Sequence, residues 1–367
     1  MTVLASPLVS PWPPLPAQPD GVPFPTSGWP AGTLDPATKA VVDGLMSEVF
    51  ERDDADTPDG EFGQSLAVVA VQGGRLVAER YGPTAGPDER LISWSMAKSI
   101  TQALAGVLVA EGRLNLHLPA PVAEWHDEGD PRAEITLDHL LRMVPGTEFN
   151  EDYVDAGTSH CIEMLFGSGA ADMGGYVAAL PSTAPPDTVF NYSSGTTVLI
   201  CRLLADVVGR GPAFESWMRA VLLDPLGIDA TLTFDDHGVW VGSSFLHASA
   251  RDFAKFGLLY ARDGVWDGTR ILPEGWVDYA RTRRAVDDES GTGYGAQWWL
   301  WPHGDGVFYA SGYETQRIIV DPANDLVLVR LGKTPTERAA AVDGWLERLR
   351  RALATAPAFA GVGGEAG

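Results

Sequence analysis

The nine residues ISWSMAKSI, Ile92 to Ile100, set a serine and a lysine three positions apart, at Ser95 and Lys98. On a helix that spacing is nearly one turn, so both side chains share a face. A lysine desolvated among apolar neighbours such as Trp94, Met96 and Ile100 is biased toward its neutral form. A neutral amine within reach of a serine hydroxyl can take its proton and make it a nucleophile. A serine at a helix start also sits at the positive end of the helix dipole, which favours a developing oxyanion. The same residues fit a plainer picture, with Ser95 as a helix cap and Lys98 extending to solvent. Only four of the 26 basic residues are lysine (Lys39, Lys98, Lys255 and Lys333), so a lysine at 98 leans toward a role needing a removable proton.

Two further stretches could join that pair. FNYSSGTTVLI places Tyr192 just before a helix, where a phenol near an ammonium can relay protons to a leaving group. The alternative is a buried tyrosine hydrogen-bonded at a helix start. YASGYETQRIIVDP sets Gly312 between apolar-rich strand segments. A strand edge there could offer amides to an oxyanion and a substrate, or the glycine could mark a bulge.

These residues need a scaffold, and the rest of the chain supplies one. After a Pro-rich arm (1–36), LDPATKAVVDGLMSEVFE reads as a helix with Asp35 as its cap. That arm is expected to be extended, packed on the body or mobile. SLAVVAVQGGRLVAERYG reads as a β-hairpin turning at Gly73-Gly74. SMAKSITQALAGVLVAEG is a buried helix stopping at Gly112. The middle of the chain is mainly helical, and after Gly291 strands return: GAQWWLWPHG, GVFYASG, QRIIVDP and DLVLVRLG, then the closing helix TERAAAVDGWLERLRRALA. The expected fold is α/β (α+β): one antiparallel sheet built from both chain ends and flanked by helices, with an all-helical insertion. The boundaries read as 37–118 and 236–357 for the sheet domain, 119–235 for the helical domain and 358–367 for a flexible tail.

Composition narrows the function. The 367 residues are 45% hydrophobic and carry a net charge of −23, which argues against nucleic acid and anionic membranes as partners. Cys161 and Cys201 fit no metal spacing and read as buried thiols. The seven histidines form no ligand pair at helical spacing, so no metal or cofactor is expected. There is no Gly-x-Ser-x-Gly elbow for a Ser-His-Asp hydrolase. The acidic stretch EFNEDYVD (Glu148, Glu151, Asp152, Asp155) is either a solvated loop or a cleft wall. No apolar run is long enough to span a bilayer, and the N-terminus reads poorly as a signal peptide, so a cytoplasmic location is expected.

In order, Ser-x-x-Lys, Tyr-x-Ser and a Gly-containing strand resemble the serine β-lactamase and penicillin-binding-protein superfamily. The class C β-lactamase-like branch, with its esterases and 6-aminohexanoate-oligomer hydrolases, is the most similar. AEGRLNLHLPAPVAEW, ITLDHLLRMVPG, SARDFAKFGLLYARDG, FNEDYVD and QWW extend the resemblance over about residues 60 to 350. It implies a β-lactamase/transpeptidase-like fold with the active site between the two domains. It implies Ser95 as nucleophile, Lys98 as its base and Tyr192 as a proton-transfer residue. The backbone amides of Ser95 and Tyr313 would form the oxyanion hole. Tyr153 would lie over the cleft, with Asp152, Ser194 and Gly312 near the substrate. Ser194 stands where β-lactamases often carry Asn. Ser311 stands where many relatives carry a cationic or imidazole residue, and no substitute is evident nearby. That departure favours a serine hydrolase of small amides or carboxylic esters over a β-lactamase or D-Ala-D-Ala-type peptidase. A non-catalytic binding module of the same fold is the third reading. The expected partner is a small-molecule substrate, and a homodimer stays open.

Overall fold

The computed structural model describes residues 12–52, 60–302 and 306–354. The expected tail at 358–367 and the first eleven residues of the arm lie outside them. The rest of the arm lies along the body: Trp12 Nε1 donates to the Arg281 carbonyl (3.1 Å), Arg262 Nε to Gln18 Oε1 (2.8 Å) and Trp266 Nε1 to Thr26 Oγ1 (2.8 Å).

Helix α1 (Pro36–Phe50) precedes the hairpin of β1 (Gln64–Gln72) and β2 (Arg75–Tyr81). Asp35 caps α1 by accepting from Ala37 N and Thr38 N. Gly73 and Gly74 both have positive φ, 57° and 69°, as a two-residue hairpin turn with the sheet's own twist requires. Short β3 (Leu91–Ile92) ends at a 3-10 turn, Trp94–Met96, that runs directly into α2 (Ala97–Ala110). The middle holds α3 (Leu137–Leu141), α4 (His160–Phe166), α5 (Met173–Ala178), α6 (Ser194–Val208), α7 (Pro212–Met218) and α8 (Asp224–Leu226). β4 (Ala230–Leu232), which falls inside the segment expected to be all-helical, and β5 (Leu246–Ala248) join β3 in a small sheet of order β3-β5-β4. Then come α9 (Ala250–Ala261), the ribbon β6 (Val265–Trp266) and β7 (Thr269–Arg270), and α10 (Trp276–Arg281). The chain closes with β8 (Ala285–Val286), β9 (Gly293–Tyr294), β10 (Trp299–Leu300), β11 (Phe308–Gly312), β12 (Gln316–Asp321), β13 (Leu326–Lys333) and α11 (Ala339–Ala354).

The main sheet is antiparallel, in the order β2-β1-β13-β12-β11-β10-β9-β8. Early β1 and late β13 are neighbours, so both chain ends build one sheet. LAVVAV, Leu66 to Val71, is apolar without interruption because both faces of β1 are covered. Ala67, Val69 and Val71 face the large core with α2, α6 and α9, while Val68 and Ala70 face a second core with α1 and α11. β12 and β13 divide the same way, with Ile318, Val320, Val327 and Val329 on the large-core side and Ile319, Leu326 and Leu328 on the other.

One expected strand is much shorter than its sequence pattern. In GAQWWLWPHG only Trp299 and Leu300 are paired as β10. Gln297 takes a left-handed φ of 58° and turns inward instead. Its amide donates to the Leu141 carbonyl (3.0 Å), its side-chain oxygen accepts from Thr197 Oγ1 (2.9 Å) and its carbonyl accepts from Ser99 Oγ (2.7 Å). One buried glutamine thereby ties α2, α6 and the end of α3 together.

Candidate active site

Ser95 sits within the 3-10 turn before α2, and no side chain caps either helix start there, so Ser95 is not a helix cap. The turn is held from both sides. Ser93 N donates to the Leu246 carbonyl (2.8 Å), and Ser93 Oγ accepts from Leu246 N (3.2 Å) and donates to the Trp94 carbonyl (2.9 Å). Trp94 adopts φ 44°, a left-handed conformation that costs a non-glycine residue about 1–2 kcal/mol. Its indole donates to Glu314 Oε2 (3.2 Å) and its ring meets Phe245 and Tyr313 at 5.9 and 5.6 Å. These contacts hold the turn that presents Ser95.

Lys98 is 1% exposed. Its Nζ lies 2.8 Å from Ser95 Oγ, 2.9 Å from Ser194 Oγ and 3.1 Å from the Ser243 carbonyl. It does not extend to solvent. Nζ also lies 4.8 Å from the centre of the Tyr192 ring, so Tyr192 borders the same group. Tyr192 is positioned by Asn191, whose backbone donates to the Met143 carbonyl (2.8 Å) and whose side chain donates to the Phe149 carbonyl (3.0 Å). On the other flank Ser193 caps α6 through Thr196 N (2.9 Å).

Gly312 ends β11 against the loop before Ser95, and a Cβ there would lie 2.5 Å from the Ser93 carbonyl. The pairing of β11 with β10 stops at Tyr309, while its pairing with β12 continues to Gly312. The last residues of β11 therefore turn one edge away from β10. Tyr313 follows, and then two left-handed residues, Glu314 (φ 59°) and Thr315 (φ 64°). Fully buried Arg330 holds that turn by donating to the carbonyls of Glu314 (2.9 Å) and Thr315 (3.2 Å) and to Thr334 Oγ1 (2.7 Å). Burial, and next the charge of Arg317, push its pKa down to about 9; its two terminal nitrogens find oxygen acceptors, while its Nε is buried without a hydrogen-bond partner.

The acidic loop divides by residue. The Asp152 carboxylate accepts from Val154 N (2.9 Å) and Asp155 N (3.2 Å) and so shapes the loop itself. Glu151 turns the other way: it accepts from Ser194 N (2.7 Å), Ser194 Oγ (2.5 Å) and the Tyr153 hydroxyl (2.8 Å). Tyr153 is half-exposed, with its ring 5.4 Å from that of Tyr313, while desolvation of its hydroxyl and the adjacent Glu151 push the phenol's pKa up. Burial, reinforced by Glu151, raises the Cys161 thiol to about 12, and burial raises Cys201 to about 12 as well. Neither thiol is a competing nucleophile at neutral pH.

Two groups of aromatic side chains reach the site, one through Trp94, the residue before Ser95, and one through Tyr192, whose ring borders Lys98. Phe166, Phe245, Trp94, Tyr313 and Tyr153 form one continuous line of ring contacts, and Tyr192, Trp299, Phe190 and Tyr294 form a second group. These rings border the polar group of Ser95, Lys98 and Ser194. Among the described residues no group of three or more His, Cys, Asp or Glu could hold a metal, and no helix is long and apolar enough to cross a membrane.

The architecture is that of the β-lactamase/transpeptidase-like fold. A beta-lactamase family profile matches residues 60–352, and the chain belongs to that family, in its class C β-lactamase-like branch. A 6-aminohexanoate-dimer hydrolase of Paenarthrobacter ureafaciens is 28% identical over 290 residues, covering 73% of this chain and 72% of the relative. A provisionally named 6-aminohexanoate-dimer hydrolase from Bacillus anthracis superposes with a TM-score of 0.71 at 22% identity, over 93% of this chain and 89% of its own. A family VIII carboxylesterase superposes at 0.65 with 14% identity, over 88% and 99%. At those identities the two structures speak for the fold. Family and relatives together make the chain a serine hydrolase.

Three features of the site are not evident from the sequence: the inward role of Glu151, the aromatic line through Trp94 and Phe245, and Arg317, whose guanidinium donates to Ser311 Oγ (2.9 Å) from the neighbouring strand. The first had a signal in the mixture of Glu and Asp within one acidic loop, since the two reach different distances.

Proposed function

We propose that this hydrolase acylates Ser95 and releases the acyl group to water, acting on small amides or carboxylic esters. The observation carrying this reading is the 2.8 Å contact between Ser95 Oγ and the buried Lys98 Nζ. Lys98 takes the serine proton as the Oγ–carbon bond forms, and the carbonyl π electrons move onto oxygen. The backbone amides of Ser95 and Tyr313 receive that oxyanion. Tyr192, over whose ring Lys98 sits, passes a proton to the leaving amine or alcohol as the tetrahedral adduct collapses. Water then repeats the sequence on the acyl-enzyme. Tyr153 and Gly312 border the substrate. The relative from P. ureafaciens, a 6-aminohexanoate-dimer hydrolase, supports linear amides as the class to test first.

The experiment is covalent labelling with a fluorophosphonate, located by mass spectrometry. The label is expected on Ser95 and absent from Ser95→Ala. Equal labelling of the two proteins rejects the nucleophile. Turnover of p-nitrophenyl esters and linear amide oligomers, compared with nitrocefin, ranks the substrates, and fast nitrocefin turnover would reverse the ranking in favour of a β-lactamase.

A further inference from the structure

The hydrogen bonds around Lys98 have a direction, and Glu151 sets it. A carboxylate oxygen only accepts, so the single proton of Ser194 Oγ points at Glu151 Oε1 (2.5 Å). Ser194 Oγ can then only accept from Lys98 Nζ, 2.9 Å away. The Ser243 carbonyl, at 3.1 Å, is also only an acceptor. A neutral amine has two hydrogens and one lone pair. Both hydrogens are committed, to Ser194 and to Ser243, and the lone pair is left facing Ser95 Oγ at 2.8 Å.

We infer that Glu151 is a positioning residue, acting through Ser194, that aims the lone pair of Lys98 at Ser95. This rests on the reading of Lys98 as the base. Without the carboxylate, the Ser194 hydroxyl is free to turn its proton onto Lys98 Nζ and occupy the lone pair that Ser95 needs. The carboxylate is held in place, because its second oxygen accepts from Ser194 N (2.7 Å), so it grips residue 194 at two points and does not rotate. The Tyr153 hydroxyl donates to the same Oε1 (2.8 Å), which ties the loop at the cleft mouth to the base. Glu151 touches neither Ser95 nor Lys98 directly among the contacts described, and its effect on the proton passes through one hydroxyl.

Glu151→Gln tests the direction. With its oxygen on Ser194 N, the Gln amide donates to Ser194 Oγ and turns the serine proton toward Lys98. The rate of the p-nitrophenol burst with p-nitrophenyl acetate is expected to fall about 10- to 100-fold, with KM within a few-fold of wild type. In a Ser194→Ala background the same Glu151→Gln change is expected to cost under about 3-fold, because its route is already gone. Ser194→Asn restores an acceptor toward Lys98 and a donor toward Glu151, and is expected to acylate at least about ten times faster than Ser194→Ala. A wild-type burst in Glu151→Gln overturns the inference. So does an equal loss in both backgrounds, or Ser194→Asn as slow as Ser194→Ala. Ser95→Ala run in parallel separates the two levels: a burst surviving there overturns the base reading and this inference together. A dead Ser95→Ala beside an unaffected Glu151→Gln removes only the role of Glu151.

Discussion

Arg317 donates to the hydroxyl of Ser311 at 2.9 Å, across the register pair that joins β12 to β11. The position where the family resemblance leads one to expect a cationic or imidazole residue thus has a cation behind it, on the neighbouring strand. It is not offered to a ligand: Arg317 is 7% exposed, and its Nε and Nη2 are bonded to Asp343 at 3.0 and 3.1 Å. A cation introduced at 311 would meet a buried like charge. Ser311→Lys is therefore expected to lower stability by about 1–3 kcal/mol, a thermal shift of several degrees, without gaining nitrocefin turnover. A stable variant with faster nitrocefin hydrolysis than wild type would refute this role for Arg317.

Lys98→Arg keeps the positive charge and most of the donors but removes the ability to accept a proton. Steady-state turnover of a p-nitrophenyl ester is expected to drop about 10²- to 10⁴-fold. A variant keeping a tenth of wild-type kcat would show that Lys98 acts as a charge alone.

Gly312 has an ordinary extended φ of −130°, so its value lies in space and not in conformational freedom. An added Cβ would lie 2.5 Å from the Ser93 carbonyl and 3.0 Å from Gln316 Cβ. Gly312→Ala is expected to push the end of β11 off the serine turn and reduce kcat about 10²-fold, while circular dichroism stays native. Unchanged kcat would mean that the two segments need no close contact.

Far from the cleft, Glu347 locks α11 to the sheet. Burial disfavours its charge, but hydrogen bonds from Arg350, Trp301 and Arg351 outweigh burial and hold its carboxyl at about 2 against a usual 4.5. A depressed carboxyl pKa stabilises the fold fully above the unfolded value and loses that contribution as pH falls through the folded one. Wild type is thus expected to lose about 3 kcal/mol between pH 4.5 and 2 through this group. Urea unfolding across that range should show a shallower acid limb in Glu347→Gln. Parallel curves for the two proteins would contradict the assignment.

What the sequence disclosed followed local geometry. Ser95 and Lys98 are legible as a pair because three residues is almost one helical turn, and the β1–β2 hairpin because two glycines tolerate its turn. Contacts made across the fold were not legible. Glu151 reaches Ser194 over 43 residues, and in sequence it looks like Asp152, which only shapes its own loop. The cation behind Ser311 becomes visible only once the β11–β12 register is known. Gln297 reads as a strand residue, because nothing local shows that its side-chain amide and backbone carbonyl together serve three helices.

The place of β13 has a consequence for synthesis. Ser95 and Lys98 leave the ribosome more than two hundred residues before Leu326–Lys333, the strand that fills the gap between β1 and β12. Arg330, which holds the turn after Tyr313, arrives on that same strand. A nascent chain therefore carries Ser95 and Lys98 with the sheet unclosed and the turn after Tyr313 unsupported until β13 has been made.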